Sequence, residues 1–189
     1  MPLLAGVLMA LVAWAVTVRV FPFALMHVAM VRIGGDMAPN TFRHAKPATP
    51  DNQPIVRPSP DLLYSSCVFD LADDVSGGVV LVDVKPIPEH YWSVSVFDAR
   101  TDTVIVRGER EVRGQSVRLA LMRKDPDDRP PADEPPAEDL PARGALPADY
   151  ERVHLDYDRG IVLLRILVPD TEALADVDRR RRLARCRPV

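Results

Sequence analysis

Beyond Pro60 the chain keeps one pattern: apolar side chains recur at every second position, in seven short runs separated by turn-forming residues. In "LYSSCVFDL", Leu63, Ser65, Cys67 and Phe69 fall on one side, and Tyr64, Ser66, Val68 and Asp70 on the other. A repeat of two belongs to an extended strand, since helical faces recur every three to four residues. "VVLVDV", "YWSVSVF", "TVIVRG", "SVRLALM", "RVHLDY" and "GIVLLRILV" repeat the reading, with "DDVSGG", "DARTD" and "DYDRG" as turns. The last turn reads as a hairpin joining the final two strands. Strands with one apolar side must stack or close to hide it, and no strand–helix–strand alternation occurs here. The expected fold is therefore mainly β, a β-sandwich over residues 61–189. "DTEALADVDRRRRLARC" predicts a closing C-terminal helix, capped by Asp170 or Thr171, with Glu172 in its first turn and arginines at its end.

The opening segment obeys a different rule. "MPLLAGVLMALVAWAVTV" carries no charged side chain before Arg19. A bilayer core asks for about 20 apolar residues, with about 17 as the lower limit. The run predicts an N-terminal transmembrane helix, Arg19 marking the interface, followed by a second short helix from about Phe23 to Ile33. A cleavable leader would want a basic start and a small-residue cleavage site, and neither is evident. Arg19, Arg32 and Arg43 all lie on the C-terminal side of the span. The positive-inside rule taken alone would keep the C-terminal domain in the cytoplasm, which conflicts with export.

Two segments read as connectors. Residues 34–60 are rich in Pro, Asn, Thr and Asp without periodicity and are expected to form an extended tether. Residues 124–149 are dense in Pro, Asp and Glu and poor in aromatics. They are expected to be a disordered loop, because they hold too little apolar surface to offset the entropy of ordering. The formal net charge of −3 gives no reason to expect nucleic acid as a partner. "RRRR", Arg179 to Arg182, reads as a solvated helix end, with lipid headgroups as a secondary contact.

"SPDLLYSSCVFDL", "YWSVSVFDARTDTVIV" and "GIVLLRILVPD" resemble the domain of unknown function 1254, in its short, membrane-anchored bacterial members, from about Pro54 onward. Asp61, Leu63, Tyr64 and Ser65 correspond to a family stretch Asn-x-Asp-Thr-Leu-Tyr-Ser, and Ser59 stands where Asn is frequent. The resemblance implies a jelly-roll-like domain of bacterial envelope proteins and carries over no catalytic residue. The expected setting is the inner membrane, with the soluble domain in the periplasm and the lipid bilayer as partner of the first helix. A cytoplasmic domain on a reversed anchor is the other reading.

Only two cysteines occur, Cys67 in a strand and Cys186 near the end. In an oxidising compartment a bridge between them would staple the tail to the first strand. Two independent thiols, one buried and one exposed, are the alternative.

Catalytic signatures are sparse. His27, His44, His90 and His154 stand isolated, and no Gly-x-Ser-x-Gly elbow, phosphate loop or dinucleotide fingerprint occurs. No cofactor or metal is expected. His90 and Tyr91 stand at a strand entrance. Asp98 sits in "FDARTD" with Arg100 and Asp102, as a cation or acid–base pair or simply as a turn. Arg165 interrupts "VLLRILV"; facing inward it would need Asp70, Asp98 or Asp156 as partner. The leading expectation is a non-catalytic binding or structural domain. A hydrolase acting on a small or saccharide-like ligand through His90, Tyr91, Asp98 and Arg165 is the alternative.

Overall fold

A computed structural model describes residues 2–49, 58–73, 75, 77–87, 91–124 and 147–189. All seven expected strands form, and two more join them. Their order is β1 (Thr41–His44), β2 (Leu62–Asp70), β3 (Val79–Val84), β4 (Trp92–Asp98), β5 (Thr103–Gly108), β6 (Val117–Arg123), β7 (Glu151–Leu155), β8 (Arg159–Leu167) and β9 (Arg185–Pro188). Helix α1 (Pro2–Gly34) precedes them, a single turn α2 (Glu109–Val112) follows β5, and α3 (Leu174–Arg181) precedes β9.

The strands make two sheets. One runs β1-β2-β8-β4-β5 and the other β7-β6-β3-β9, antiparallel throughout except for the parallel pair β6–β7. Alternation fills the space between them. Leu63, Cys67, Phe69, Trp92, Val94, Val96, Val162, Leu164 and Ile166 come from the first sheet; Val80, Val82, Val84, Leu119, Leu121, Val153 and Leu155 come from the second. The protein is mainly β, with two stacked sheets, a long apolar N-terminal helix and a short C-terminal helix.

Gly160 shows how tightly the first sheet is built. A Cβ at this position on β8 would overlap the Phe97 carbonyl oxygen and lie 2.5 Å from Cζ of the Phe69 ring. Only glycine lets β4 and β2 close around it.

Four expectations are corrected. The two helices read at the N-terminus are one continuous helix, with Pro22 inside it. Proline removes one backbone hydrogen bond and crowds the carbonyl four residues before it, yet the helix continues through Pro22. The segment read as tether contributes strand β1, whose Phe42 pairs with Cys67. "DYDRG" is no hairpin: β7 and β8 lie in different sheets, so this turn carries the chain from one layer to the other. The C-terminal helix starts at Leu174 after Ala173, with no side-chain cap. Asp170 instead accepts the Ala173 N–H at 2.8 Å, one turn earlier. The chain after α3 becomes β9 rather than further helix. The tether's residues 50–57 and the acidic loop's residues 125–146 lie outside the described residues.

The two sheets are tied at several points. Cys67 on β2 and Cys186 on β9 form a disulfide between the sheets, with Cα atoms 6.4 Å apart and a sequence separation of 119. At the other edge Arg107 of β5 donates from Nε to Glu151 of β7 at 3.1 Å. Arg181 closes the end near β1. Its side chain is 1% exposed and donates to the carbonyls of Tyr64 and Ala45, both at 2.7 Å, and to Asp178. The reading of Arg179–Arg182 as a solvated run is corrected at this one position, since helical spacing turns one arginine of four inward.

Candidate functional site

Among the described residues, helix α1 covers the outward side of the five-stranded sheet at one end. The last turns of α1 cross it there: Gly34 stands against Val68, with its Cβ position 3.5 Å from Val68 Cγ2, and Phe23 meets Tyr157 edge-on with ring centroids 5.3 Å apart. Met26 is 3% exposed, and Ile161, which alternation puts on this outward side, is buried as well. A cavity of about 200 Å³ remains at this junction, lined by Met30, Met37, Arg43, Val68 and Arg159 among others. Arg43 donates to the Ile33 carbonyl at 2.8 Å, which ties the helix end to β1.

At the other end of the same face Tyr91, Val106 and Leu167 are exposed beside the buried Ser93 and Ser95, and the sequence-derived candidates divide between the two ends. Arg165 lies on the outward side of β8, in register with Tyr64 of β2 and Ser93 of β4. None of Asp70, Asp98 and Asp156 reaches it. Asp70 pairs with Arg159 at 2.8 Å, Asp156 lies 4.0 Å from Lys124, and Asp98 serves its own turn. Arg165 Nε is desolvated with no hydrogen-bond partner, and so is Ser95 Oγ one register step away on β4.

Tyr91 joins this end. Its carbonyl accepts the Leu167 N–H at 2.8 Å and its hydroxyl lies 3.4 Å from Ser93 Oγ. Tyr91, Val106 and Leu167 are 47%, 42% and 36% exposed. A tyrosine-bearing sheet surface thus surrounds one guanidinium that has no carboxylate partner among the described residues. Such a surface suits a partner that brings a carboxylate or phosphate together with apolar area.

Asp98 is not part of this group. It lies at the opposite end of β4, in register with Gly160, five residues before Arg165 on β8. At about 3.3 Å per residue that is about 16 Å along the strand. Asp98 Oδ1 accepts the N–H groups of Arg100 at 2.7 Å and Asp102 at 3.0 Å, the local pattern of an Asp turn. His90 lies outside the described residues.

Among the described residues no three His, Cys, Asp or Glu side chains stand close enough to hold a metal. A second, polar groove of about 460 Å³ runs beside β5 and β6. Its charges are matched internally, Arg107 with Glu151 and Arg118 with Asp149.

Sequence reading passed over His44. Its Nδ1 lies 2.9 Å from Ser65 Oγ, its ring stacks on Phe42, and its pKa is lowered to about 4, by burial first and then by Arg181. Nothing in "TFRHAK" signals this, because the burial and the arginines that add to it come from segments far away in the sequence.

Residues 39–188 match the family described as protein of unknown function DUF1254. The chain belongs to that family. Its match begins at residue 39, so β1 lies inside the family domain. No curated protein matches the chain. Among solved structures it is similar to the VPA0106 protein from Vibrio parahaemolyticus, with a TM-score of 0.60 and 17% identity over 91% of this chain and 37% of that one. A second structure, an uncharacterized protein from Burkholderia cenocepacia, shows a TM-score of 0.44 and 15% identity over 78% of this chain and 36% of that one. The first likeness shows a shared fold. This DUF1254 chain spans little more than a third of the Vibrio protein.

Proposed function

We propose that this DUF1254 chain is a membrane-anchored binding domain of the bacterial envelope. On this reading α1 holds the domain to the inner membrane and the β-sandwich lies in the periplasm. The observation that carries it is the division of α1. One long helix is apolar enough to cross a bilayer, its first two-thirds stand exposed, and only its last turns pack on the sheet. A leader removed by cleavage would uncover Met26 and Ile161, so the packing supports retention of the helix. The buried Cys67–Cys186 disulfide supports an oxidising compartment against the orientation that Arg19, Arg32 and Arg43 would favour.

On the same reading the open half of the outward sheet face is where a partner binds, with Arg165 as its charged centre and Tyr91 and Leu167 as apolar contacts. A topology pair tests the arrangement. Alkaline phosphatase fused to the C-terminus should be active in intact cells, and a fluorescent protein fused there should be dark after Sec-dependent export. The opposite outcome would place the domain in the cytoplasm and remove the reading.

A further inference from the structure

Helix α1 leaves the domain near Phe23. Before it, side chains such as Trp14, Val18 and Phe21 stand more than half exposed, and close packing begins at Met26. About 20 helical residues cross the ~30 Å hydrocarbon core. The exposed apolar turns that end at about Phe21 are long enough for that core, and on this reading the next turn stands in the headgroup layer.

Two arginines lie near that level, each related to Phe23. Arg19 precedes Phe23 by four residues, so the two share a helix face. Arg100 arrives from the β4–β5 turn, with its guanidinium carbon 5.9 Å from the centroid of the Phe23 ring. The turn is built to present it. Asp98 Oδ1 holds the Arg100 and Asp102 N–H groups, and Thr101 adopts φ 69°, in the left-handed region. Three other cations at this end of the sandwich are matched: Arg159 with Asp70, Arg123 with Asp158 and Lys124 with Asp156. Arg19 and Arg100 have no carboxylate partner among the described residues.

Guanidinium groups bind phosphate oxygens in pairs, and aromatic rings such as Phe23 and Tyr157 favour the water–lipid boundary. We propose that Arg19 and Arg100 bind the phosphate of an anionic phospholipid where α1 emerges from the bilayer. The proposal rests on α1 being a membrane span. It assigns "FDARTD" the task of positioning Arg100, and the exposed apolar turns before Arg19 offer a path for the acyl chains. The chain as a whole carries a net charge of −3, so the contact is a local site and no general attraction to an anionic surface.

The test uses the full chain, purified in detergent and offered phosphatidylglycerol or phosphatidylcholine, with retained lipid read by native mass spectrometry. Wild type is expected to retain phosphatidylglycerol in preference. R19A and R100A should each lower that preference about fivefold, the equivalent of ~1 kcal/mol per cation near an anionic surface. R110A, whose side chain is 95% exposed on α2, should leave it unchanged. Near-UV circular dichroism confirms that each variant is folded, and R100K, which keeps the charge but not the fork, should fall between.

A double variant R19A/R100A that retains phosphatidylglycerol like wild type overturns the site. So does a wild type without preference, or displacement of the lipid by inorganic phosphate alone. Flotation with liposomes separates the lipid site from the anchor. A chain that floats yet shows no preference overturns the lipid site only, and a chain that does not float overturns the anchor with it.

Discussion

Arg181, on the last turn of α3, donates from Nη1 to the main-chain carbonyl of Tyr64 at 2.7 Å, 117 residues away in sequence. A second nitrogen reaches the Ala45 carbonyl at the same distance. One side chain thus joins the C-terminal helix to two adjacent strands. Burial draws its pKa below the usual guanidinium range, while the bonds to Asp178 act against that shift. Replacing it by methionine roughly keeps the volume but takes the donor from the Ala45 carbonyl, while the Tyr64 carbonyl keeps the Ala45 N–H and Asp178 keeps Arg182. The expected loss is about 1–3 kcal/mol, measured by urea unfolding, since a buried acceptor left without its donor costs about that much. R181K should recover only part of it, because an ammonium cannot span both carbonyls and Asp178.

The disulfide should account for a further large share of stability. Closing a loop of 119 residues restricts the unfolded chain, and the entropy model puts this at ~4–5 kcal/mol. C67A/C186A, or reduction under denaturing conditions followed by refolding in reductant, should lower the unfolding free energy from urea titration by that amount. Unchanged unfolding with and without reductant would contradict a bridged native state.

His44 predicts a particular pH dependence. Its folded pKa is about 4, below the ordinary 6.5, so the unfolded state takes up the proton first. Stability is therefore full above pH 6.5, falls as pH drops from there to about 4, and levels off below. Partial exposure of the ring limits the loss to about 1–2 kcal/mol. Thermal melts across this range should show the slope in wild type and a shallower one in H44Q, which retains a partner for Ser65.

Arg165 makes the opposite kind of prediction. Its Nε is desolvated without a partner, and such a group costs about 1–3 kcal/mol. R165M should therefore unfold at the same or a higher temperature than wild type. If the open sheet face is where a partner binds, R165M and R165E should lose that partner while remaining folded. A clear destabilisation by R165M would show that the arginine serves the fold.

Much of the sandwich is legible in the residue order, and particular residues explain where legibility stops. Strands β2, β4 and β8 announce themselves because each must hide one side chain in two, and that requirement is written in the order of residues. "TFRH" and "RCRP" carry no such announcement. They are four-residue edge strands with arginines on the outward side, and they are strands only because β2 and β3 offer free backbone groups to pair with. "DYDRG" suits a hairpin and an inter-sheet crossing equally well, since both need the same tight local bend. Of the proposed site residues, Arg165 is placed beside Leu163 and Leu167 by alternation, and the strand register agrees. That Asp98 lies at the far end of β4, committed to its own turn, depends on how β4 and β8 align.

The residue order alone determined that this chain has a long apolar N-terminal helix and strands that must stack. Both follow from which side chains avoid water and at what spacing, and these are local properties. The tertiary structure decided that Cys67 faces Cys186, that Arg181 turns inward while its neighbours do not, and that the last turns of α1 cover half of one sheet face. Each depends on two segments far apart in sequence meeting in one register, and local periodicity carries no information about who meets whom.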